Sequence, residues 1–241
     1  MKLKSKRKIK IALISLVVSL VLLIGGFYIY TLDYYRADEV AIEVLSRVDT
    51  GSQIEKRKDM WIFHPDNEKK SDVGLIFYPG GKVEWTAYSV LLEKLSQNGI
   101  TSVLIKMPFN LAVFDINAAN RVYNQLPEIN NWMIGGHSLG GAMASSYAND
   151  HQDIINGLVL LGAYPVDGNS IPTIALYGTE DMVLDKSKLA TTQNQYVIPG
   201  GNHAYFGNYG EQKGDGIATI TREEQQQLAV EEISTFILDS Q

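Results

Sequence analysis

Cysteine is absent from this 241-residue chain, so disulfides and thiolate metal sites are excluded. Histidine is scarce. Only His64, His137, His151 and His203 are present, and no two form an H-x-x-x-H or H-E-x-x-H pair, so no metal is expected. Internal repeats and low-complexity tracts are also missing, which excludes solenoids and disordered arrays. Cations are outnumbered, with 21 Lys and Arg against 27 Asp and Glu, for a net charge of −6. Lys2, Lys4, Lys6, Arg7, Lys8 and Lys10 supply +6 of that balance, so the remaining chain carries −12. A body this acidic excludes nucleic acid as an expected partner.

Charge is missing altogether from Ile11 to Tyr30, a run of 20 residues. As a helix rising ~1.5 Å per residue it reaches about 30 Å, the thickness of a bilayer core. Tyr28 and Tyr30 close the run with interfacial aromatics, and the basic residues before it belong on the cytoplasmic side. A cleaved signal peptide shares these features, but the run is long and Ala37 to Ala41 offers only a weak cleavage site. The expected organisation is therefore a basic tail at 1–10, a transmembrane anchor at 11–30, a linker and helix at 31–57, and a folded body at 58–241. The expected location is the cell membrane, single-pass, with the body extracytoplasmic and the membrane itself a partner.

The body alternates strand and helix patterns. Apolar runs at Met60–Phe63, Val73–Tyr78, Ser102–Lys106, Trp132–Ile134, Leu158–Leu161, Thr173–Tyr177 and Tyr196–Ile198 read as strands, and Gln53–Lys58 as an edge strand or loop. Helical patterns are expected at Val40–Val48 before Gly51, Trp85–Asn98, Ile116–Gln125, Ala142–Ala148, Lys186–Thr191 and Glu223–Leu238. Near-continuous apolar strands between helices imply a mostly parallel α/β sheet covered on both faces. Functional groups then belong on loops at the strands' C-terminal ends.

One stretch concentrates the chemistry. Gly136-His137-Ser138-Leu139-Gly140 is a G-x-S-x-G pattern between a strand and a helix, which lifts a serine onto a tight turn at a helix N-terminus. A serine nucleophile needs a base, and the base needs an acid to orient it. Downstream, Asp181 follows the strand ending at Tyr177, and His203 follows the strand ending at Ile198. Ser138, Asp181 and His203 are thus candidate nucleophile, orienting acid and base, with Glu180, Asp185 and Asp167 as neighbouring acids. His64 and His151 read as structural. The N–H of Leu139 is one candidate oxyanion donor. The other comes from Tyr78-Pro79-Gly80-Gly81-Lys82, as Gly81 or Lys82.

The motifs YPGGKVEWTAY, KMPFNLAVF, GGHSLGGAMASSYA, LLGAYP, LYGTED and GGNHAYFGNYGEQKGDG resemble, from about Met60 onward, the small bacterial α/β-hydrolases of the dienelactone-hydrolase-like kind. The resemblance implies an α/β-hydrolase fold and a Ser138–Asp181–His203 triad without a cofactor. Dienelactone hydrolases proper use cysteine, so lactone opening is not implied. The expected activity is hydrolysis of a small-molecule carboxylic ester through an acyl-enzyme. A peptidase or acyltransferase on the same residues, and an idle binding domain, are the alternatives. The connection Gly162–Ile171 has ten residues, too few for a helical lid. The site is instead expected to be walled by the loop Ala204–Gly216, through Tyr205, Phe206 and Tyr209, with Tyr164, Phe109 and Asn110 opposite, and to favour compact, soluble, short-acyl esters without interfacial activation.

Overall fold

The computed structural model describes residues 2–46, 53–66, 68, 71–166, 168, 170–192 and 194–239, with the backbone alone for 2–5. Two units are distinct, 1–34 and 35–241. The first is helix α1 (Lys2–Leu32), of which Lys6–Leu32 is long and apolar enough to cross a membrane. A signal sequence would meet the same criterion. Val48 and Gly51, expected at the end of the next helix, lie outside the described residues, as does Asp167.

The second unit is an eight-stranded α/β sheet with strand order β1-β2-β4-β3-β5-β6-β7-β8. The strands are β1 (Gln53–Lys56), β2 (Met60–His64), β3 (Val73–Tyr78), β4 (Thr101–Ile105), β5 (Asn131–His137), β6 (Ile155–Leu161), β7 (Thr173–Gly178) and β8 (Asn194–Ile198). β1 and β2 pair antiparallel and β2 pairs antiparallel with β4, while β4, β3 and β5 through β8 run parallel. All six residues of β3 are buried, because a central parallel strand faces a layer on both sides. The polar β1, with Glu55 and Lys56 exposed, makes an edge that discourages further pairing.

Alternation along β3 divides the core. Leu75 and Phe77 join Leu91, Leu92, Leu95, Ile233 and Ile237 under helices α3 (Ser89–Gln97) and α5 (Arg222–Asp239). Ile76 and Tyr78 join Val103, Ile134, Tyr147 and Leu160 on the other face, under helix α4 (Leu139–Asp150). The short α2 (Glu39–Ser46) buries Ala41, Val44 and Leu45 in the body.

Two expected helices take other forms. Trp85–Asn98 opens as a 3-10 turn, Trp85–Tyr88, before becoming α3. Ile116–Gln125 is not α-helical but a pair of 3-10 segments, Ile116–Arg121 and Tyr123–Gln125. The Tyr78 hydroxyl donates to Ile116 O and accepts from Ala119 N, so backbone groups needed for an α ladder are diverted to a side chain. Asn117, Asn120 and Asn124 add weak helix propensity, and Asn120 Oδ1 is held by the Tyr147 hydroxyl. On α5, Ile233 and Ile237 are buried as expected. Leu228 and Phe236 are only partly covered, and Gln225 and Gln226 are buried instead.

Candidate active site

Strand order creates the crevice. The chain leaves β3 toward β4 but leaves β5 toward β6, so β3 and β5 are neighbours whose crossovers depart in opposite directions. Their C-terminal ends, Tyr78 and Gly136, are paired in register, which puts the loop after β3 beside the turn after β5.

Ser138 sits on that turn with φ 52 and ψ −123, a left-handed conformation that costs an L-residue about 1–3 kcal/mol. Its N–H is held by Leu161 O at 2.9 Å, and packing enforces the rest. A Cβ at Gly140 would lie 2.2 Å from both Tyr78 O and Pro79 O, so only glycine lets the helix start this close to β3. The Ser138 hydroxyl makes no capping bond to α4, which leaves it uncommitted at the helix N-terminus.

Asp181 and His203 meet as expected. His203 Nδ1 lies 2.9 Å from Asp181 Oδ2, with both side chains almost fully buried. Asp181 Oδ1 accepts from the N–H groups of Val183 and Leu184 at 2.9 Å. Burial pushes the Asp181 carboxyl up, but the hydrogen bond and charge of His203, with those two N–H groups, outweigh it and leave the pKa lowered. The carboxylate therefore fixes His203 as the Nδ1–H tautomer. His203 Nε2 is buried and has no hydrogen-bond partner among the described residues. Ser138, Leu139, Ala142, Gly162, Tyr164, Val183, Leu184 and His203 all border one cleft of about 270 Å³. The structure thus brings Ser138 and His203 to a common cleft without a direct hydrogen bond between them, as is frequent in sites without substrate. Gly162, at φ +53, is required here because a Cβ would lie 2.7 Å from His203 Nδ1.

The loop after β3 distinguishes its two candidate donors. Lys82 N–H donates to Asn110 O at 2.8 Å, while Gly80 N–H donates to the Tyr88 hydroxyl at 3.1 Å. Gly81 N–H has no acceptor among the described residues, and Gly81 packs directly on the Leu139 side chain.

Of the expected walls, only Tyr164 borders the cleft, with Lys188 Nζ 3.0 Å from its hydroxyl; Phe109, Asn110, Tyr205, Phe206 and Tyr209 do not. Phe206 is completely buried against the His137 ring, at 5.8 Å between centroids. Tyr205 turns toward α5, where the Arg222 guanidinium lies over its ring at 4.6 Å. Both are corrections: the loop after His203 is glycine-rich, but its backbone is bound inward. Gln225 accepts from Asn202 N and donates to Asn202 O. Asp215 accepts from Ala204 N and Met182 N, tying the histidine loop to the aspartate loop.

Other contributors escaped the sequence reading. His137, fully buried, has Nε2 3.0 Å from His203 O and Nδ1 2.8 Å from the Tyr88 hydroxyl. A carbonyl only accepts, so Nε2 carries the proton. Burial, reinforced by the neighbouring His203, holds the His137 pKa well below its ordinary value, so Nδ1 is bare and accepts from Tyr88. Tyr88 is itself kept protonated by burial. A directed chain thus runs from Gly80 N–H through Tyr88 and His137 to the backbone of His203. The histidine within the G-H-S motif was the available signal. Among the described residues no group of three or more potential ligands could hold a metal.

Residues 74–227 match the alpha/beta hydrolase family. The chain belongs to that family. Its fold resembles Est1E from Butyrivibrio proteoclasticus at 16% identity and TM-score 0.55, over 79% of this chain and 99% of that one. It also resembles a dienelactone hydrolase from Anabaena variabilis at 18% identity and TM-score 0.53, over 76% and 97%. An alpha-beta serine hydrolase homologue from Coxiella burnetii aligns at 15% identity and TM-score 0.53, over 76% and 96%. No curated protein matches the sequence.

Proposed function

We propose that this alpha/beta hydrolase is a membrane-anchored serine esterase that cleaves compact acyl esters through an acyl-enzyme. The observation that carries the reading is His203: its Nδ1 is bound by buried Asp181, and its unpartnered Nε2 belongs to the cleft that Ser138 borders. His203 Nε2 takes the proton as Ser138 Oγ attacks the ester carbonyl. The carbonyl oxygen becomes an oxyanion received by the N–H groups of Leu139 and Gly81, the pair left unbonded where Lys82 is committed. Collapse returns the proton from His203 to the leaving alcohol. Water, deprotonated by the same nitrogen, then releases the acid and frees Ser138. Asp181 supports the imidazolium in both halves. A cleft of about 270 Å³ accommodates a short acyl group and leaves a long chain outside.

The anchor reading rests on α1 and on the segment after it. Ala41 is fully buried, and the Ala37 N–H donates to Glu84 Oε2, so the residues around the weak cleavage site are built into the body. Retention of α1 places the body outside, opposite the basic tail.

A fluorophosphonate probe tests the chemistry, because it labels an activated serine whatever the substrate. The full-length protein is expected to label at Ser138, and Ser138→Ala to abolish labelling. Labelling that persists in Ser138→Ala would remove the assignment. Retention in a salt-washed membrane fraction tests the anchor.

A further inference from the structure

Exposed apolar side chains of the body are unevenly placed. Among the described residues from 35 onward, eleven large apolar side chains are exposed. Six of them, Phe109, Val113, Phe114, Met182, Val183 and Ile217, lie on loops following the C-terminal ends of β4, β7 and β8, the end that carries the cleft. The densest group is the turn after β4. Phe109 and Asn110 both adopt φ 55, and this left-handed pair leaves the Phe109 ring half exposed, edge-on to Phe114 at 5.8 Å. Asn110 O receives Lys82 N–H, so this apolar turn directly flanks the Gly81 loop.

The other flank of that loop is held by the segment emerging from α1. Tyr35 N–H donates to Lys82 O, and Tyr35 O accepts from Glu84 N, both at 2.8 Å. The Tyr35 hydroxyl accepts from Lys213 N, and Asp38 pairs with Arg222 and Asn208, fastening the same segment to the loop after His203. Only Asp33 and Tyr34 separate Tyr35 from Leu32, the last residue of α1. Three peptide steps extend at most ~11 Å, whatever the angle the chain takes. The body is therefore joined to α1 by a short tether that ends on the loop carrying Gly81.

We propose that Phe109, Val113 and Phe114 bed into the lipid–water interface of the membrane that holds α1, and that the cleft takes its ester from that interface. The substrate is then an amphiphile whose short acyl group enters the cleft while the rest stays at the membrane surface. The inference rests on α1 being a retained anchor. Charge near the turn is mixed: Lys82 and Lys106 adjoin it, and Arg121 pairs with both Asp115, at 2.5 Å, and Asp59, at 3.0 Å.

The absence of native cysteine makes the test clean. Full-length protein in liposomes carries one nitroxide at a time, at Val113→Cys, Phe114→Cys, Leu20→Cys inside α1, or Ile154→Cys just before β6, at the opposite end of the sheet. Accessibility to oxygen, concentrated in lipid, is compared with accessibility to a water-soluble nickel chelate. Positions 113 and 114 are expected to resemble 20, and position 154 to be water-exposed. Water exposure at 113 and 114 with lipid exposure at 20 overturns the docking while leaving the anchor intact. Water exposure at 20 overturns the anchor, and the docking with it. In kinetics, Val113→Ser with Phe114→Ser is expected to raise KM at least about tenfold for a short-acyl ester embedded in vesicles, by loss of buried apolar area. The kinetics on p-nitrophenyl acetate in solution stay unchanged. An unchanged KM on vesicles also overturns the proposal.

Discussion

Two aromatic loops lie at the catalytic end of the sheet, and they point in opposite directions. The loop after His203 carries Tyr205, Phe206 and Tyr209, and buries Phe206 and Tyr209. The turn after β4 carries Phe109 and Phe114, and leaves both half exposed. Composition does not separate them; backbone hydrogen bonding does. In the first, Asn202, Asp215 and Gln225 hold the chain, while Asn208 N–H donates to Ala87 O and Gln226 donates to Asn208 Oδ1. In the second, Asn110 O accepts from Lys82 N–H, but the other bonds, such as Leu111 N–H to Pro108 O and Phe114 N–H to Leu111 O, close local turns. A loop whose polar groups are satisfied by the body can turn its rings inward. A loop satisfied mostly by its own turns presents them.

The largest effects fall on the locked side. His203→Ala and Ser138→Ala are each expected to lower kcat roughly ten-thousand-fold, with the double variant little worse, because the two act as one unit. Asp181→Asn costs less than either and still orders of magnitude. Steady-state kinetics on a short p-nitrophenyl ester decide this, and an active Ser138→Ala would remove the nucleophile assignment. Next comes packing: Phe206→Ala is expected to cost about 3–5 kcal/mol in chemical denaturation, as removal of a fully buried aromatic ring does.

The sheet and the positions of the candidate site residues were legible because local sequence determines them. Val73 to Tyr78 could be nothing but a doubly covered strand, and G-H-S-L-G needs its glycines for contacts within a few ångströms. Asp181 and His203 could be placed from strand ends alone, and they meet at 2.9 Å. The direction of side chains in loops was not legible, since it depends on partners distant in sequence. Phe206 is buried because Gln225 and Asp215 hold its loop inward, and Ile116–Gln125 fails to become an α-helix because Tyr78, 38 residues earlier, takes its backbone bonds. Likewise, Lys82 and Gly81 could be told apart only once Asn110 was seen to occupy one of the two N–H groups.

The coupling between the histidine and aspartate loops offers a smaller test. Asp215 accepts from Ala204 N at 2.9 Å and Met182 N at 3.3 Å, bridging the residue after His203 to the residue after Asp181. Asp215→Ala leaves those donors unpaired and loosens the geometry on which proton transfer depends. A fall in kcat of about tenfold to a hundredfold is expected, with KM little changed and Asp215→Asn intermediate. A change confined to KM would place Asp215 in substrate binding instead.

His137 adds a dependence on pH. Its folded pKa lies below the ordinary 6.5, so on acidification the unfolded chain takes up a proton before the folded one does. Its contribution to stability is therefore complete above 6.5 and is lost as pH falls from there toward the folded value. Asp181, with a pKa below its usual 3.8, loses its own contribution only as pH falls below 3.8, so it takes no part in a decline between 6.5 and 3.8. Urea midpoints measured from about pH 8 to about pH 5.5 should decline, and the decline should be shallower in His137→Leu. An equal slope in the variant would assign the pH dependence elsewhere.

The smallest effect belongs to the exposed loop, and it completes the comparison. Phe114 is 52% exposed and packs edge-on to the equally exposed Phe109, so Phe114→Ser in detergent solution is expected to change stability by no more than about 0.5 kcal/mol. Turnover of a soluble acetyl ester should also be unaffected, since neither Phe114 nor its turn borders the cleft. The ring of Phe206 and the ring of Phe114 would then differ severalfold in cost while being chemically identical. A loss of several kcal/mol in Phe114→Ser would show that the turn after β4 is as firmly built into the body as the loop after His203, and the division between a locked side and a presenting side would fail.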